Sequence, residues 1–234
     1  MKLKKGDFVK LDYVGRVKAT GNIFDLTDEK IAKKEGIFNE KAKYEPAVAV
    51  IGANHLVRGL DEELIGKETG KDYTIEIPAD AGFGARSPDL VKVFPKNKFR
   101  GQKGPLFPGA QVTIQGINGI VSSVSGGRVR VDFNHPLAGK ELVYKVKIIS
   151  TVKGTKERVE SLLDLHAPFS GFEVKASEKT ATITVPNMAP PQWFQVQGRV
   201  ANEIIEYAGL ADVKFVQEYK KAEKQSKTGG KKDK

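Results

Sequence analysis

The stretch Leu56-Val57-Arg58-Gly59-Leu60-Asp61-Glu62-Glu63-Leu64 decides how the first half of this 234-residue chain folds. Leu60 and Leu64 stand four apart, so a helix over about Arg58–Ile65 puts both on one face, with Gly66 as its stop. The acidic run Asp61-Glu62-Glu63 is expected on the solvent side of this helix, near its positive end, where the macrodipole favours carboxylates. Candidate strands flank the helix. Upstream, Val9, Leu11 and Tyr13 alternate with Lys10, Asp12 and Val14, the period of a half-buried strand. Ala47–Ile51 is a wholly apolar strand broken at Gly52. Downstream, Tyr73, Ile75 and Ile77 alternate with Asp72, Thr74 and Glu76 until Pro78, and Glu141–Val152 is rich in Val, Ile and Tyr. Thr27 is read as the cap of a short helix through Lys34, which Gly36 ends.

Between Gly84 and Pro136 the texture changes. Seven glycines fall between Gly101 and Gly127, and three prolines between Pro95 and Pro108. Strand patterns persist at Gln111–Gln115, Ile120–Val124 and Arg128–Phe133, the last two joined by the hairpin loop Ser125-Gly126-Gly127. An apolar strand resumes beyond this region, so it reads as a small all-β insertion. After Lys153-Gly154, Thr155 is expected to cap a helix carrying Val159, Leu162 and Leu163. Strands near Phe172–Lys175 and Thr180–Val185, a helix after Pro190-Pro191 and a strand near Val213–Val216 complete an α-β-β-α-β unit. The domains expected are 1–84 plus 136–152, 85–135 and 153–219, with 220–234 a disordered basic tail.

Composition narrows the class. With 39% apolar and 29% charged residues the chain has core enough for more than one globular domain. No apolar run approaches the ~20 residues of a spanning helix, and residues 1–7 lack an apolar signal core, so a cytoplasmic protein that avoids the membrane is expected. The absence of cysteine excludes disulfides, thiol nucleophiles and zinc–thiolate sites. The net charge of +10 is uneven: residues 85–135 are net +6 and residues 220–234 net +5, while the remainder nearly cancels. Two segments thus face polyanions or serve solubility. His55, His135 and His166 show no metal or triad spacing and are read as structural or surface residues, and the glycine clusters lack the context of a phosphate loop. No nucleophile or base stands out, so either the chain binds without chemistry or its chemistry needs neither.

The ordered set Tyr13, Gly21-x-Ile23-Phe24-Asp25, Ile51-Gly52, Leu56–Leu64, Ala81-Gly82-Phe83-Gly84 and Leu142-Val143-Tyr144 resembles the FKBP-type peptidyl-prolyl isomerases over about residues 1–84 and 136–152. The insertion after Gly84, followed by Asn134-His135-Pro136-Leu137-Ala138-Gly139, resembles the SlyD-like branch, and the length resembles its long archaeal members. The resemblance implies an α+β fold: an antiparallel half-barrel around a short helix, an inserted all-β flap with chaperone activity, and a C-terminal α/β domain. It also implies rotation of X–Pro amides, which breaks no bond but unaided crosses a barrier of ~18–20 kcal/mol. An apolar, aromatic-lined pocket would strip water from the amide and favour its twisted form, with no cofactor.

Carried over residue by residue, the resemblance implies a pocket of Tyr13, Phe24, Asp25, Val57, Leu60, Phe83, Leu137 and Tyr144. Leu60 would form the floor, the Val57 N–H would meet a substrate carbonyl, and Asp25 would be a buried polar wall bonded to Tyr13. Phe83 stands where much of the family has tyrosine, and Ala47 and Ala49 where others have phenylalanine. The His-rich metal-binding tail of bacterial relatives is absent, so no metal is implied. On the flap, exposed Leu106 and Phe107 are expected to meet clients, with Lys96, Lys98, Arg100 and Lys103 drawing acidic segments. The partners expected are unfolded or nascent proline-containing polypeptides, the ribosome through the basic flap and tail, and a second copy through the C-terminal unit. Two alternatives stand beside this reading: a holdase chaperone with a weak pocket, and a ribosome-associated folding factor.

Overall fold

Val9 and Leu11 are fully buried on one face of β1 (Phe8–Val17), whereas Lys10 between them is exposed. This alternation sets the sheet's inner face in a computed structural model that describes residues 1–101 and 104–219. β1 pairs antiparallel with β2 (Ile23–Leu26), Val14 opposite Leu26, and with β3 (Ala47–Val50), Leu11 opposite Ala47 and Val9 opposite Ala49. β9 (Leu142–Val152) flanks β1, and β4 (Asp72–Ile77) pairs antiparallel with β9, placing Ile75 opposite Tyr144. The five strands carry one core, into which α2 (Arg58–Leu64) sends Leu60 and Leu64, 1% and 0% exposed. Burying each leucine contributes about 1.5–3 kcal/mol. Gly59 permits the close approach: its N–H donates to the Ala81 carbonyl at 2.8 Å, and a Cβ would lie 2.7 Å from Ile77 Cγ2.

Two local expectations are corrected here. Asp61 does not face solvent with Glu62 and Glu63; it is 3% exposed and accepts the N–H groups of Gly52 at 2.8 Å and Asn54 at 3.1 Å. A buried carboxylate needs donors, and this one finds them in a turn whose Gly52 and Asn54 both have positive φ, 81° and 58°. The cap of α1 (Glu29–Lys34) is Asp28, whose carboxylate accepts from Lys30 and Ile31, not Thr27. Thr27 is instead buried under β1, its hydroxyl accepting the Tyr13 N–H at 2.9 Å and donating to Asp12 at 3.1 Å.

The insertion after Gly84 is a four-stranded antiparallel sheet of β5 (Val91–Pro95), β6 (Gln111–Ile114), β7 (Ile117–Ser125) and β8 (Arg128–Asp132), in the order β5-β8-β7-β6. The β7–β8 turn is Gly126-Gly127, both at positive φ, as a two-residue hairpin requires. Phe99, Val112, Val121, Val129 and Val131 form its own small core. The sequence pattern omits β5, because Lys92 and Pro95 interrupt it; the strand lies at the sheet edge, where proline is tolerated.

A second compact unit begins at Val152. It contains α3 (Thr155–His166), β10 (Glu173–Ala176), β11 (Thr180–Thr184), α4 (Pro191–Ala208) and β12 (Asp212–Val216). β10 and β11 are antiparallel, whereas β11 and β12 are parallel and joined through α4. Thr155 is the first residue of α3 rather than its cap; Gly154 holds that position with no side-chain bond. Trp193 is 2% exposed and packs edge-on or tilted against Phe169, Phe172 and Phe215, while Phe194 is 50% exposed. Among the described residues no helix is long and apolar enough to cross a membrane. Lys103 and the basic stretch 220–234 lie outside the described residues.

Candidate active site

Tyrosines interrupt the aliphatic inner faces of β1 and β9. Tyr13 continues the row of Val9 and Leu11, and Tyr144 follows Leu142. Phe24 enters from β2 and Phe83 from the turn after β4. Phe24 stands edge-on to Tyr144, centroids 5.6 Å apart, and to Phe83 at 6.1 Å, and Tyr13 meets Tyr144 at 5.9 Å. Gly15 makes the gathering possible, since a Cβ there would fall 2.7 Å from Phe24 Cζ and 2.9 Å from Tyr144 Cε1. Leu60 is sealed beneath, and Val57 and Leu137, both half-buried, pack on the same cluster. The Val57 carbonyl accepts from Leu60 at 2.8 Å and Asp61 at 3.0 Å, while its own N–H meets no acceptor among the described residues.

Tyr13 donates its hydroxyl to Asp25 Oδ2 at 2.8 Å. Asp25 itself is exposed, which corrects the expectation of a buried carboxylate: β2 turns Phe24 inward and Asp25 to the rim, so water and Tyr13 share its solvation. Burial first, then the charge and hydrogen bond of Asp25, push the Tyr13 phenol well above its ordinary range. Burial and then Asp25 do the same to Tyr144. Both rings therefore remain neutral hydroxyls. The cluster can desolvate an apolar ring and hydrogen-bond a peptide; among its described residues it offers no nucleophile–base pair.

Residue patterns miss three features beside this hollow. The His135 ring stacks flat on Phe83, centroids 4.5 Å apart and planes 5° apart, and its Nδ1 accepts the Leu137 N–H at 3.2 Å. Asn134 clasps the two chains leading to the inserted sheet, accepting from the Ser87 N–H at 2.8 Å and donating to the Ser87 carbonyl at 2.9 Å. Arg86 pairs with Asp132 across the same neck. Their only sequence signal is the position of Asn134-His135 just before Leu137. On the insertion, Lys96, Lys98 and Arg100 are exposed and Phe107 is 53% exposed. Leu106 is not fully exposed as expected; it half-buries against the insertion's core, where it lines a 530 Å³ hollow with Lys96, Phe99, Arg100 and Pro105.

An antiparallel half-barrel over a short helix, with an aromatic hollow and an inserted β-sheet, defines an FKBP-like fold with extra domains. The chain belongs to the FKBP-type peptidyl-prolyl cis-trans isomerases, in their SlyD-like branch. It is 35% identical over 146 residues to the short-type peptidyl-prolyl cis-trans isomerase of Methanocaldococcus jannaschii, a match covering 62% of this chain and 92% of that one. SlyD of Haemophilus influenzae is 29% identical over 61% of this chain and 77% of its own. The FKBP-type 16 kDa isomerase of Escherichia coli K12 is 31% identical over 44% and 72%. The family model described as "FKBP26, IF domain" matches residues 92–137, and that described as "FKBP26_C-terminal" matches residues 155–220. The activity of this family is enzymatic and needs no cofactor.

Proposed function

We propose that this isomerase acts on X–Pro bonds of unfolded or nascent polypeptides, which the inserted flap holds while the aromatic hollow turns the amide. The observation that carries the reading is the convergence of Tyr13, Phe24, Phe83 and Tyr144 over Leu60. A proline ring seated there would lose its water, and the amide beside it would lose the solvation that favours its planar, charge-separated form. The Val57 N–H would hold a neighbouring substrate carbonyl, and Asp25 would fix Tyr13. On the flap, exposed Phe107 and the Leu106 hollow offer sequence-tolerant apolar contact, with Lys96 and Arg100 lining the hollow and Lys98 exposed on the same short segment.

Replacing residues 86–133 by a short turn tests the division of labour. Tetrapeptide isomerisation should stay near its full rate, while catalysis of proline-limited refolding slows. Equal loss on both substrates would show instead that the flap completes the pocket. A holdase with a weak pocket is the second reading, favoured by the missing hydroxyl at Phe83. Full activity in proline-limited refolding excludes it, and Phe24→Ala that abolishes catalysis while aggregation suppression persists assigns the two tasks to separate surfaces.

Further partners are proposed on charge and exposure. The basic flap suits ribosomal RNA, and co-sedimentation should fall steeply with salt if phosphates are the contact. The C-terminal unit leaves Met188, Phe194 and Ile205 uncovered at 93%, 50% and 38% exposure, a surface suited to self-association.

A further inference from the structure

Two hydroxyls stand among the aromatic residues of the hollow, and they are not equivalent. Tyr13 spends its proton on Asp25 at 2.8 Å. The Tyr144 hydroxyl has no hydrogen-bond partner among the described residues, although the residue is only 2% exposed. It is not sealed either: the one side-chain polar atom both buried and unpartnered among the described residues is Trp193 Nε1. The small accessible part of Tyr144 therefore includes its oxygen, at the end of a ring held edge-on by Tyr13 and Phe24. Phenylalanine would fill the same space without removing a hydroxyl from most of its water. Such a group costs stability unless it finds a partner.

We propose that the Tyr144 hydroxyl donates a hydrogen bond to a backbone carbonyl of the bound prolyl peptide, one that lies outside the rotating amide. The proposal rests on the reading that the hollow takes the proline ring. The choice of carbonyl follows from the chemistry. A donor on the rotating amide's oxygen would stabilise the planar, charge-separated form and slow the reaction. A donor on a neighbouring carbonyl is felt equally by planar and twisted states, so it lowers KM and leaves kcat unchanged. With the Val57 N–H it would fix two points of an extended peptide and so orient the rotating bond between them. Phe83 has no hydroxyl to do this, and that of Tyr13 is engaged. Burial and the nearby Asp25 charge keep the Tyr144 proton in place through neutral and mildly alkaline pH.

The test is Tyr144→Phe in the full chain, with a proline tetrapeptide followed by NMR titration and by exchange rate at saturation. Removing one such bond should raise Kd and KM roughly five- to tenfold and leave kcat within about twofold. Unchanged affinity would overturn the proposal, and so would a change in kcat at unchanged KM: a rise would put the hydroxyl on the rotating amide's oxygen, and a fall would make it a group that favours the twisted amide alone. Phe24→Ala separates the two levels of the argument. If it abolishes peptide binding while Tyr144→Phe binds normally, only the hydroxyl's role falls. If Phe24→Ala binds normally, the hollow is not the proline site and the proposal falls with it.

Discussion

His135 lies flat on Phe83, ring centroids 4.5 Å apart, and so ties the strand returning from the inserted sheet to a wall of the aromatic hollow. Only one residue separates this stack from Leu137, and none separates it from the clasp of Asn134 on Ser87. The neck of the flap and the edge of the site are thus one continuous run of contacts. Removing the imidazole by His135→Ala frees Phe83 to rotate. Aromatic contacts of this kind are worth about 0.5–1.5 kcal/mol, so kcat/KM on a tetrapeptide should fall roughly two- to tenfold. The melting temperature should fall by no more than a few degrees, because His135 is exposed and the loss is confined to this one contact. An unaltered kcat/KM would mean that Phe83 keeps its place without the stack.

Gly15 offers a sharper probe of the hollow. In Gly15→Ala the new methyl would meet Phe24 at 2.7 Å and Tyr144 at 2.9 Å, and one ring must move. Overpacking of this sort costs about 1–3 kcal/mol. We expect stability to fall by that amount in urea and isomerase activity to fall more than tenfold. Activity equal to that of the parent would show that these two rings do not shape the site.

The Arg86–Asp132 pair gives the neck an acid dependence. Burial alone would raise the Asp132 carboxyl, but hydrogen bonds from Asn134 and then Arg86 outweigh it and hold the group below the usual carboxylate range. A folded-state value below the unfolded one stabilises the fold above about pH 4, and the contribution is lost as pH falls through the lowered value. Amide exchange at Ser87 and Asn134, taken relative to the intrinsic rate at each pH, should be strongly protected at pH 6 and lose that protection as the carboxyl protonates. Asp132→Asn should lose that step; if its acid profile matches the parent's, another group controls the neck.

The two-unit division predicts that a chain ending at Lys153 folds and keeps its isomerase activity. The five-stranded sheet needs nothing beyond β9, whose last residue is Val152. Sedimentation should report a change in self-association, because Phe194 and Ile205 leave with the second unit. A truncated chain that fails to unfold cooperatively would refute the boundary, and unchanged association would remove the interaction role.

Strands and helices were legible in the residues where burial repeats with the local period. Val9, Leu11 and Tyr13 in β1, Tyr73, Ile75 and Ile77 in β4, and Leu60 and Leu64 in α2 each announce one buried face, because that periodicity is a property of the backbone. The ordered motifs around Phe24, Leu60, Phe83 and Tyr144 named the family for the same reason: each is a short run of neighbours. What one carboxylate or ring meets across the fold is not written in its neighbours. Asp61 reads as a solvated helix charge, but the turn at Gly52 and Asn54 aims two N–H groups at it and makes burial affordable. Asp25 reads as buried beside Phe24, but the pleat of β2 sends consecutive side chains to opposite faces and leaves it at the rim. His135 reads as a surface residue, and only the return of the chain from the flap lays it on Phe83, 52 positions earlier. Such contacts depend on where two distant segments are held, and that is settled by the packing of the whole sheet rather than by any stretch within it.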